Sequence, residues 1–149
     1  VIRRMMIFAS EDIGNADPRA LQIAVATADA YERLGLPEGR IPIAQCITYL
    51  ATAPKSNRSY QAMNQVVEVI KAQPRVAVPM HLRNAPTKMM SELGYGEGYE
   101  YPHDTAEGFV KTQYLPDIAK DKKFYEPRDT GYEKSILERM ILRGQIGKR

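Results

Sequence analysis

The sequence has 149 residues, of which 44% are hydrophobic and 26% charged, a balance typical of a globular domain with a sizeable core. No apolar run approaches the roughly 20 residues that a membrane-spanning helix needs, and no signal peptide is recognisable. The single Cys46 excludes an intramolecular disulfide. These features predict a protein of a reducing, cytoplasmic compartment with no membrane partner.

The net charge of +3 is unevenly distributed along the chain. Residues 120–149 carry nine Lys or Arg and five Asp or Glu, a net charge of +4, and the preceding residues carry twelve and thirteen, a net charge of −1. The basic C-terminal part is compatible with an acidic partner such as nucleic acid.

The first half of the chain predicts consecutive helices with short connections. The chain begins with Val inside an apolar-periodic segment, residues 2–13, which is expected for a piece of a longer protein. Asp17 and Pro18 then form a typical helix start, with Asp as N-cap and Pro at the first helical position. This second helix is expected to reach Leu34, with Gly35 as its C-cap. Its predicted apolar stripe consists of Leu21, Ala24, Val25, Ala28 and Tyr31.

Two further helices are expected to meet at a tight corner. The first begins at Pro42 and must stop at Ala53, because Pro54 disfavours the helical conformation in the residue before it. Ser56 or Asn57 can cap the next helix with a side-chain oxygen. The flanking helices are the most apolar regular segments, so the corner is expected to lie in the core. Cys46 lies on the predicted apolar stripe of the first helix and is expected to be a buried free thiol. The predicted stripes are Ile43, Cys46, Ile47 and Leu50 before the corner and Tyr60, Met63, Val67 and Ile70 after it.

Beyond Pro74 the helical pattern gives way to irregular, aromatic sequence. Eight of the twelve aromatic residues lie between Tyr95 and Tyr132. Short strands are expected at 109–114 and 123–126, and together they could form a β-hairpin.

A last helix is expected over residues 131–143. Thr130 and Glu133 have the spacing of a capping box at its start, in which the glutamate side chain bonds the N-cap backbone.

The sequence contains no recognisable catalytic constellation. His81 and His103 are far apart, and Cys46 is the only thiol, so no local metal motif exists. The glycines of residues 94–98 lack the spacing of a dinucleotide-binding fingerprint, and there is no Walker A motif. We expect no catalytic residue, metal or cofactor in this chain.

Basic side chains are the remaining candidates for contacts with DNA or another partner. An exposed, solvated surface is the alternative interpretation for all of them. In the C-terminal group, lysines stand beside aromatic residues, a combination that holds single strands through phosphate contacts and base stacking. The candidates are Lys55 and Arg58 at the corner and Lys120, Lys122, Lys123, Phe124 and Tyr125 further on.

Several runs of the sequence resemble the C-terminal region of the replication-associated recombination protein A family, also called MgsA. The resemblance extends over nearly the whole chain, in order. The runs are Phe8-Ala9-Ser10-Glu11-Asp12-Ile13-Gly14, Leu36-Pro37-Glu38-Gly39-Arg40-Ile41-Pro42, Tyr49-Leu50-Ala51-Thr52-Ala53-Pro54-Lys55-Ser56-Asn57, His81-Leu82-Arg83-Asn84-Ala85-Pro86-Thr87-Lys88 followed by Gly94-Tyr95-Gly96, and Phe124-Tyr125-Glu126-Pro127.

This resemblance implies a role in replication and repair. Members are AAA+ ATPases related to clamp loaders that act at stalled replication forks, on DNA and with single-stranded-DNA-binding protein. Their C-terminal region is helical, resembles the clamp-loader collar and forms a homotetramer. The ATPase core with its ATP and Mg²⁺ would lie upstream. The cytoplasmic location would be nucleoid-associated.

The expected fold is therefore all-α, an antiparallel helical bundle with an irregular, aromatic-rich C-terminal third. The expected function is oligomerisation of a DNA-dependent ATPase, with a DNA- or partner-binding module as the alternative. A small standalone enzyme is the least favoured interpretation.

Overall fold

The computed structural model describes residues 1–73, 75–106 and 108–147. Throughout these residues the regular structure is helical and contains no strand, which confirms the all-α prediction. Short 3₁₀ turns occur at Gly14–Ala16, Met80–Leu82, Pro102–Asp104 and Asp117–Ala119. The α-helices are α1 (Ile2–Phe8), α2 (Arg19–Leu34), α3 (Arg40–Thr52), α4 (Arg58–Ala72), α5 (Lys88–Glu92) and α6 (Gly131–Leu142).

The chain divides into two compact units. The first unit consists of Val1–Gln65 together with the described residues from Phe124 onward. The second unit is Val66–Lys123, which lies between these two parts in the sequence. The first unit is therefore discontinuous in sequence, and its two parts must recognise each other through their own contacts.

The core of the first unit combines small side chains, mainly alanine, with a few larger apolar ones on helices that pack closely together. Helices α1, α2 and α3 contact one another in pairs. Alanine leaves room for neighbouring backbones to approach, so close helix contact follows from an alanine-rich interface. The buried cluster comprises Met5, Ala9, Ile13, Ala20, Ala24, Cys46 and Leu50.

Helix α2 is rotated relative to the apolar stripe that periodicity predicted. Leu21 and Val25 were expected in the core but are 42% and 43% exposed, whereas Ala20 and Ala24 are fully buried. The small side chains occupy the tightest contacts because only they fit between closely packed helices. The larger apolar side chains are left at the surface.

The helix that follows the corner does not bury its predicted apolar stripe. Helix α4 has no buried residue among those described, and Tyr60 and Met63 of its predicted stripe are 46% and 61% exposed. Ser56 is buried, as is Cys46, which confirms the expectation of a buried free thiol.

The helical run predicted over residues 2–13 changes its winding partway along. After α1, Ala9–Ile13 form a π-helical turn, and Gly14 follows with a φ of 50°. Asp17 acts as expected at the start of α2, since its carboxylate accepts a hydrogen bond from the backbone N–H of Arg19 at 3.2 Å. Gly35 ends α2 with a φ of 66°.

The second unit is dominated by local turns. The strands expected at 109–114 and 123–126 are absent from the described residues. Local hydrogen bonds replace a strand ladder: the N–H of Thr112 donates to the carbonyl of Val110, and the Tyr114 hydroxyl donates to the same carbonyl. Thr105 similarly accepts from the N–H of Phe109, so this segment folds back on itself.

A close backbone approach fixes the start of α6 in the first unit. A Cβ added to Gly131 would lie 2.1 Å from the carbonyl oxygen of Ala16 and 2.8 Å from Cγ of Pro54. Gly131 also has a φ of 50°, which L-residues adopt at a cost. Only glycine allows α6 to start against both segments.

Gly131→Ala is therefore expected to lower the free energy of unfolding by about 3 kcal/mol or more, because backbone strain and a steric clash add together. The matched control is Gly144→Ala. Gly144 also has a positive φ, of 64°, but has open space around it, so this change should cost only about 1–2 kcal/mol. Urea unfolding followed by circular dichroism measures both. Equal losses would contradict the close approach.

Candidate functional site

The corner predicted between α3 and α4 is present in the first unit. Helix α3 ends at Thr52, and Ala53 adopts the extended conformation expected before Pro54. Ser56 Oγ accepts from the N–H of Arg58 at 3.4 Å, a long capping contact. The stronger bond of Ser56 is to a residue far away in the sequence.

That residue is Glu133, a fully buried carboxylate in the first turn of α6. It accepts hydrogen bonds from Ser56 Oγ at 2.5 Å, the Tyr125 hydroxyl at 2.8 Å and the backbone N–H of Arg128 at 2.9 Å. Burying a carboxylate is costly unless its oxygens are bonded. These donors compensate for the water that Glu133 loses, and they tie α6 to the corner.

The network continues from Tyr125 to the N-terminal part of the chain. The Asn15 side-chain amide donates to the Tyr125 hydroxyl at 3.2 Å and to Ser59 Oγ at 3.1 Å. The polar network of Asn15, Ser56, Ser59, Tyr125 and Glu133 thus joins three segments that are distant in the sequence. Among the described residues, no buried side-chain nitrogen or oxygen lacks a hydrogen-bond partner.

The network alters the acid–base behaviour of Tyr125. Burial, together with the hydrogen bond to Glu133 and the charge of that carboxylate, raises the pKa of Tyr125 to about 12, against an opposing effect from Asn15. The hydroxyl therefore stays protonated and remains a donor to Glu133.

The capping box expected at Thr130 and Glu133 was wrong in its details. The Thr130 side chain makes no capping hydrogen bond. Glu133 reaches past the N-cap residue to the N–H of Arg128. The pattern correctly marked the start of the helix, but the carboxylate serves the tertiary network.

A second carboxylate joins the start of α2 to the last turn of α3 in the first unit. Asp17 is buried and accepts a 2.5 Å hydrogen bond from the Tyr49 hydroxyl and a 3.2 Å bond from Nε of Arg19. Burial raises the pKa of Asp17, but the bonds from Tyr49 and Arg19 outweigh it and lower the pKa below its ordinary value. The same bond to Asp17 raises the pKa of Tyr49.

The corner lysine predicted as a candidate contact is used within the fold. Lys55 Nζ donates to the carbonyl oxygens of Leu50 at 2.9 Å and Ala51 at 3.3 Å, and also to that of Ala53. It lies 5.6 Å from the centre of the Phe8 ring. A positive charge at a helix C-terminus satisfies the last carbonyls and opposes the helix dipole.

Arg58 is the less constrained member of this basic pair. It is half-buried, and its guanidinium donates to the Gln61 side chain at 3.2 Å, one turn further along α4. The two corner residues therefore make different kinds of contact. Lys55 caps α3, and Arg58 makes a contact within its own helix.

The C-terminal candidates are divided between the two units. Lys120, Lys122 and Lys123 are exposed and belong to the second unit. Phe124 and Tyr125 belong to the first unit, where both are half-buried. The Tyr125 hydroxyl donates a hydrogen bond to Glu133 within the first unit.

The remaining polar candidates have local contacts. His81 Nε2 lies 3.5 Å from Thr112 Oγ1, and the His103 ring lies 5.1 Å from that of Tyr101. Within the described ranges, no group of three or more His, Cys, Asp or Glu side chains is arranged to hold a metal ion.

Two apolar grooves flank α1 in the first unit. One, of about 430 Å³, is lined by α1 and α3 and includes Met5, Phe8, Ile47 and Ala51. The other, of about 500 Å³, includes Met6, Ile7 and Tyr60 with the polar Ser10 and Glu11. These open surfaces are suited to a macromolecular contact.

The sequence matches a known family along almost its whole length. Residues 1–142 match the family described as MgsA AAA+ ATPase C terminal. The chain belongs to this family, as the sequence runs predicted. No helix in the part of the chain that the structure describes combines the length and apolarity needed to cross a membrane.

Named relatives agree with this assignment. The chain is 48% identical to replication-associated recombination protein A of Haemophilus influenzae and 46% identical to that of Escherichia coli K12, in each case over 94% of this chain and 32% of the relative. It is 50% identical to an uncharacterized protein of Thermotoga maritima, over 94% of this chain and 22% of that protein. The chain thus spans a third or less of the length of these relatives.

Tyr125→Phe is expected to flatten the alkaline dependence of stability. An unfolded tyrosine ionises near pH 10, whereas the pKa of folded Tyr125 is about 12. The unfolded state therefore loses its proton first, and stability is lost as pH rises from 10 towards 12. Solvent screening of this half-buried group reduces the effect to about 1–2 kcal/mol.

Urea unfolding between pH 9 and 11 tests this expectation. The difference in unfolding free energy between the wild type and Tyr125→Phe should shrink as pH rises. Tyr132→Phe is the control, because Tyr132 is 46% exposed and its hydroxyl accepts from Arg139. A difference that stays constant over this range would contradict the prediction.

Proposed function

We propose that this chain is the oligomerisation domain of a DNA-dependent AAA+ ATPase that acts in replication, recombination and repair at stalled forks. The observation that carries the proposal is the match of residues 1–142 to the C-terminal region of that ATPase family. Relatives that align with 94% of the length of this chain are named replication-associated recombination protein A.

The surface of the first unit supports an assembly role. Large apolar side chains remain exposed on helices that already have a packed core on their other side. Exposed apolar patches of this kind mark sites of association. They include Leu21, Val25, Ile41 and Ile47.

The mechanism would be geometric. Copies of this domain would bury these apolar faces against each other and form a homotetramer. The assembly would hold the attached ATPase modules in fixed positions on DNA. This chain would contribute no catalytic residue, and ATP and Mg²⁺ would bind in the ATPase module.

The family resemblance extends this proposal to partners and location. DNA and single-stranded-DNA-binding protein would be partners of the whole assembly. The assembly would act in the cytoplasm, in association with the nucleoid.

The chain in solution is expected to form a complex with several times the monomer mass of 16.8 kDa. Light scattering coupled to size exclusion, at tens of micromolar, gives the mass directly. A homotetramer is the predicted result. A strict monomer at this concentration would contradict the proposed function.

A second candidate function is a DNA- or partner-binding module that uses the basic C-terminal part. The observation that favours it is the exposure of Lys120, Lys122 and Lys123. Asp121 lies within the same run, so the local charge is positive but not uniformly so.

This candidate predicts binding of single-stranded DNA that weakens steeply with salt, because each phosphate contact releases counterions. Changing the three lysines to glutamate should reduce binding at low salt by at least about 10-fold. The control is the single change Lys134→Glu on α6, which is exposed and outside the run. Fluorescence anisotropy with a labelled oligonucleotide measures both, and equal binding by the triple variant and the wild type would exclude a role for the run.

A further inference from the structure

The larger of the two grooves beside α1 combines apolar and polar lining residues. It has a volume of about 500 Å³ and is lined by Met6, Ile7, Ser10, Glu11 and Tyr60, all of which belong to the first unit. Met6, Ile7 and the ring of Tyr60, a residue that is 46% exposed, supply its apolar surface. This surface is called the Glu11 groove below.

The Glu11 groove lies where the N-terminal helical run changes its winding. Ala9 and Ile13 stand at the two ends of the π-helical turn, and both are buried in the core of the first unit. Ser10 and Glu11 lie between them and line the groove. Turns of the π type are rare and frequently occur at functional sites. The core therefore holds both ends of the segment that presents Glu11 to the groove.

The polar groups of the Glu11 groove have unused capacity to accept hydrogen bonds. Among the described residues, the half-buried Glu11 carboxylate forms no hydrogen bond or ion pair, and the Tyr60 hydroxyl has no hydrogen-bond partner. The Ser10 hydroxyl donates to the carbonyl of Met6 at 3.0 Å, which leaves its own lone pairs available. Acceptors that include a carboxylate favour a cationic donor, because such hydrogen bonds are stronger than neutral ones.

Charge distinguishes the Glu11 groove from the groove on the other side of α1. The other groove includes the cation Arg4 among its lining residues, whereas this one includes a carboxylate. Opposite charges attract across an interface and like charges repel. The Glu11 groove therefore disfavours an acidic segment or a phosphate backbone and favours a basic occupant.

The apolar surface extends beyond the groove along α4. Met63 is 61% exposed and lies one helical turn after Tyr60, on the same side of α4. A small-molecule site usually encloses most of its ligand, whereas an open groove with adjoining apolar surface is suited to a length of polypeptide. The occupant that fits is thus a protein segment with both apolar and basic side chains.

We propose that the Glu11 groove binds a short segment of a partner protein in which an apolar side chain stands beside Arg or Lys. The apolar side chain packs on Met6, Ile7 and Tyr60, and the cation donates to the carboxylate of Glu11. This partner site goes beyond the proposed oligomerisation function and does not depend on it.

Selection from a library of short random peptides displayed on phage tests the chemistry of the occupant. The full chain is the bait, and peptides that also bind Glu11→Arg are removed. The remaining peptides are expected to contain an aliphatic or aromatic residue beside Arg or Lys. Enrichment of acidic peptides, of peptides without a basic residue, or of none at all would overturn the proposal.

Fluorescence anisotropy with a labelled copy of a selected peptide measures the contribution of each lining residue. Glu11→Gln should weaken binding by about 10-fold, through loss of a charge-assisted hydrogen bond, and Tyr60→Ala by about 10-fold or more. Glu32→Gln on α2 and Tyr132→Ala on α6 are matched controls at exposed positions and should bind as the wild type does. Equal losses in the variants and their controls would contradict the site.

An exchange of charges tests the direct pairing of Glu11 with the peptide. Glu11→Arg should bind the basic peptide at least about 10-fold more weakly than the wild type does. A peptide whose Arg or Lys is changed to Glu should in turn bind Glu11→Arg more tightly than it binds the wild type. A structural role of Glu11 would not reverse this preference, so an altered peptide that still prefers the wild type would overturn the pairing.

The mass of the variants separates this site from the proposed function. Glu11→Gln and Tyr60→Ala should keep the wild-type mass in light scattering and the wild-type circular dichroism spectrum. A lower mass of the folded variants would show that a second copy covers the groove and would overturn the proposal. A monomeric wild type that binds the basic peptide would support this site and contradict the oligomerisation function.

Discussion

The first unit depends on the burial of one carboxylate. Glu133 is fully buried, and its hydrogen-bond donors come from the corner and from the segment before α6. One of these donors, the Tyr125 hydroxyl, accepts in turn from Asn15 at the end of the N-terminal helical run. A buried carboxylate is stable only where its donors are in place, so it specifies one arrangement of these segments. Residues 66–123 separate the two parts of this unit in the sequence. The hydrogen bonds to Glu133 therefore hold together two parts that are not adjacent in the sequence.

Local sequence patterns predicted the helices well and the tertiary contacts poorly. Pro54 and Gly35 act on their own neighbours, so the corner and the end of α2 could be placed from the sequence. The role of Glu133 could not, since its partners Ser56 and Tyr125 are distant in the sequence. In the sequence, Glu133 is recognisable only as a glutamate in the first turn of a predicted helix, and such a glutamate normally indicates a local cap.

The candidate residues for contacts with DNA or a partner were predicted from side-chain type, and side-chain type did not reveal which hydrogen bonds each residue makes within the fold. Lys55 was selected as basic and is held by the carbonyls that end α3. Tyr125 was selected as aromatic and is bound to a buried carboxylate. Apolar periodicity assigned Ile47 to the core, whereas that residue is 47% exposed.

The free energy of unfolding of Glu133→Gln is the most direct test of the claim that the buried carboxylate holds the first unit together. Glu138→Gln is the matched control on an exposed position of the same helix. Loss of charge-assisted hydrogen bonds should destabilise Glu133→Gln by at least about 2 kcal/mol, with the control within about 0.5 kcal/mol of the wild type. Equal stability of the two variants in urea unfolding would contradict the claim.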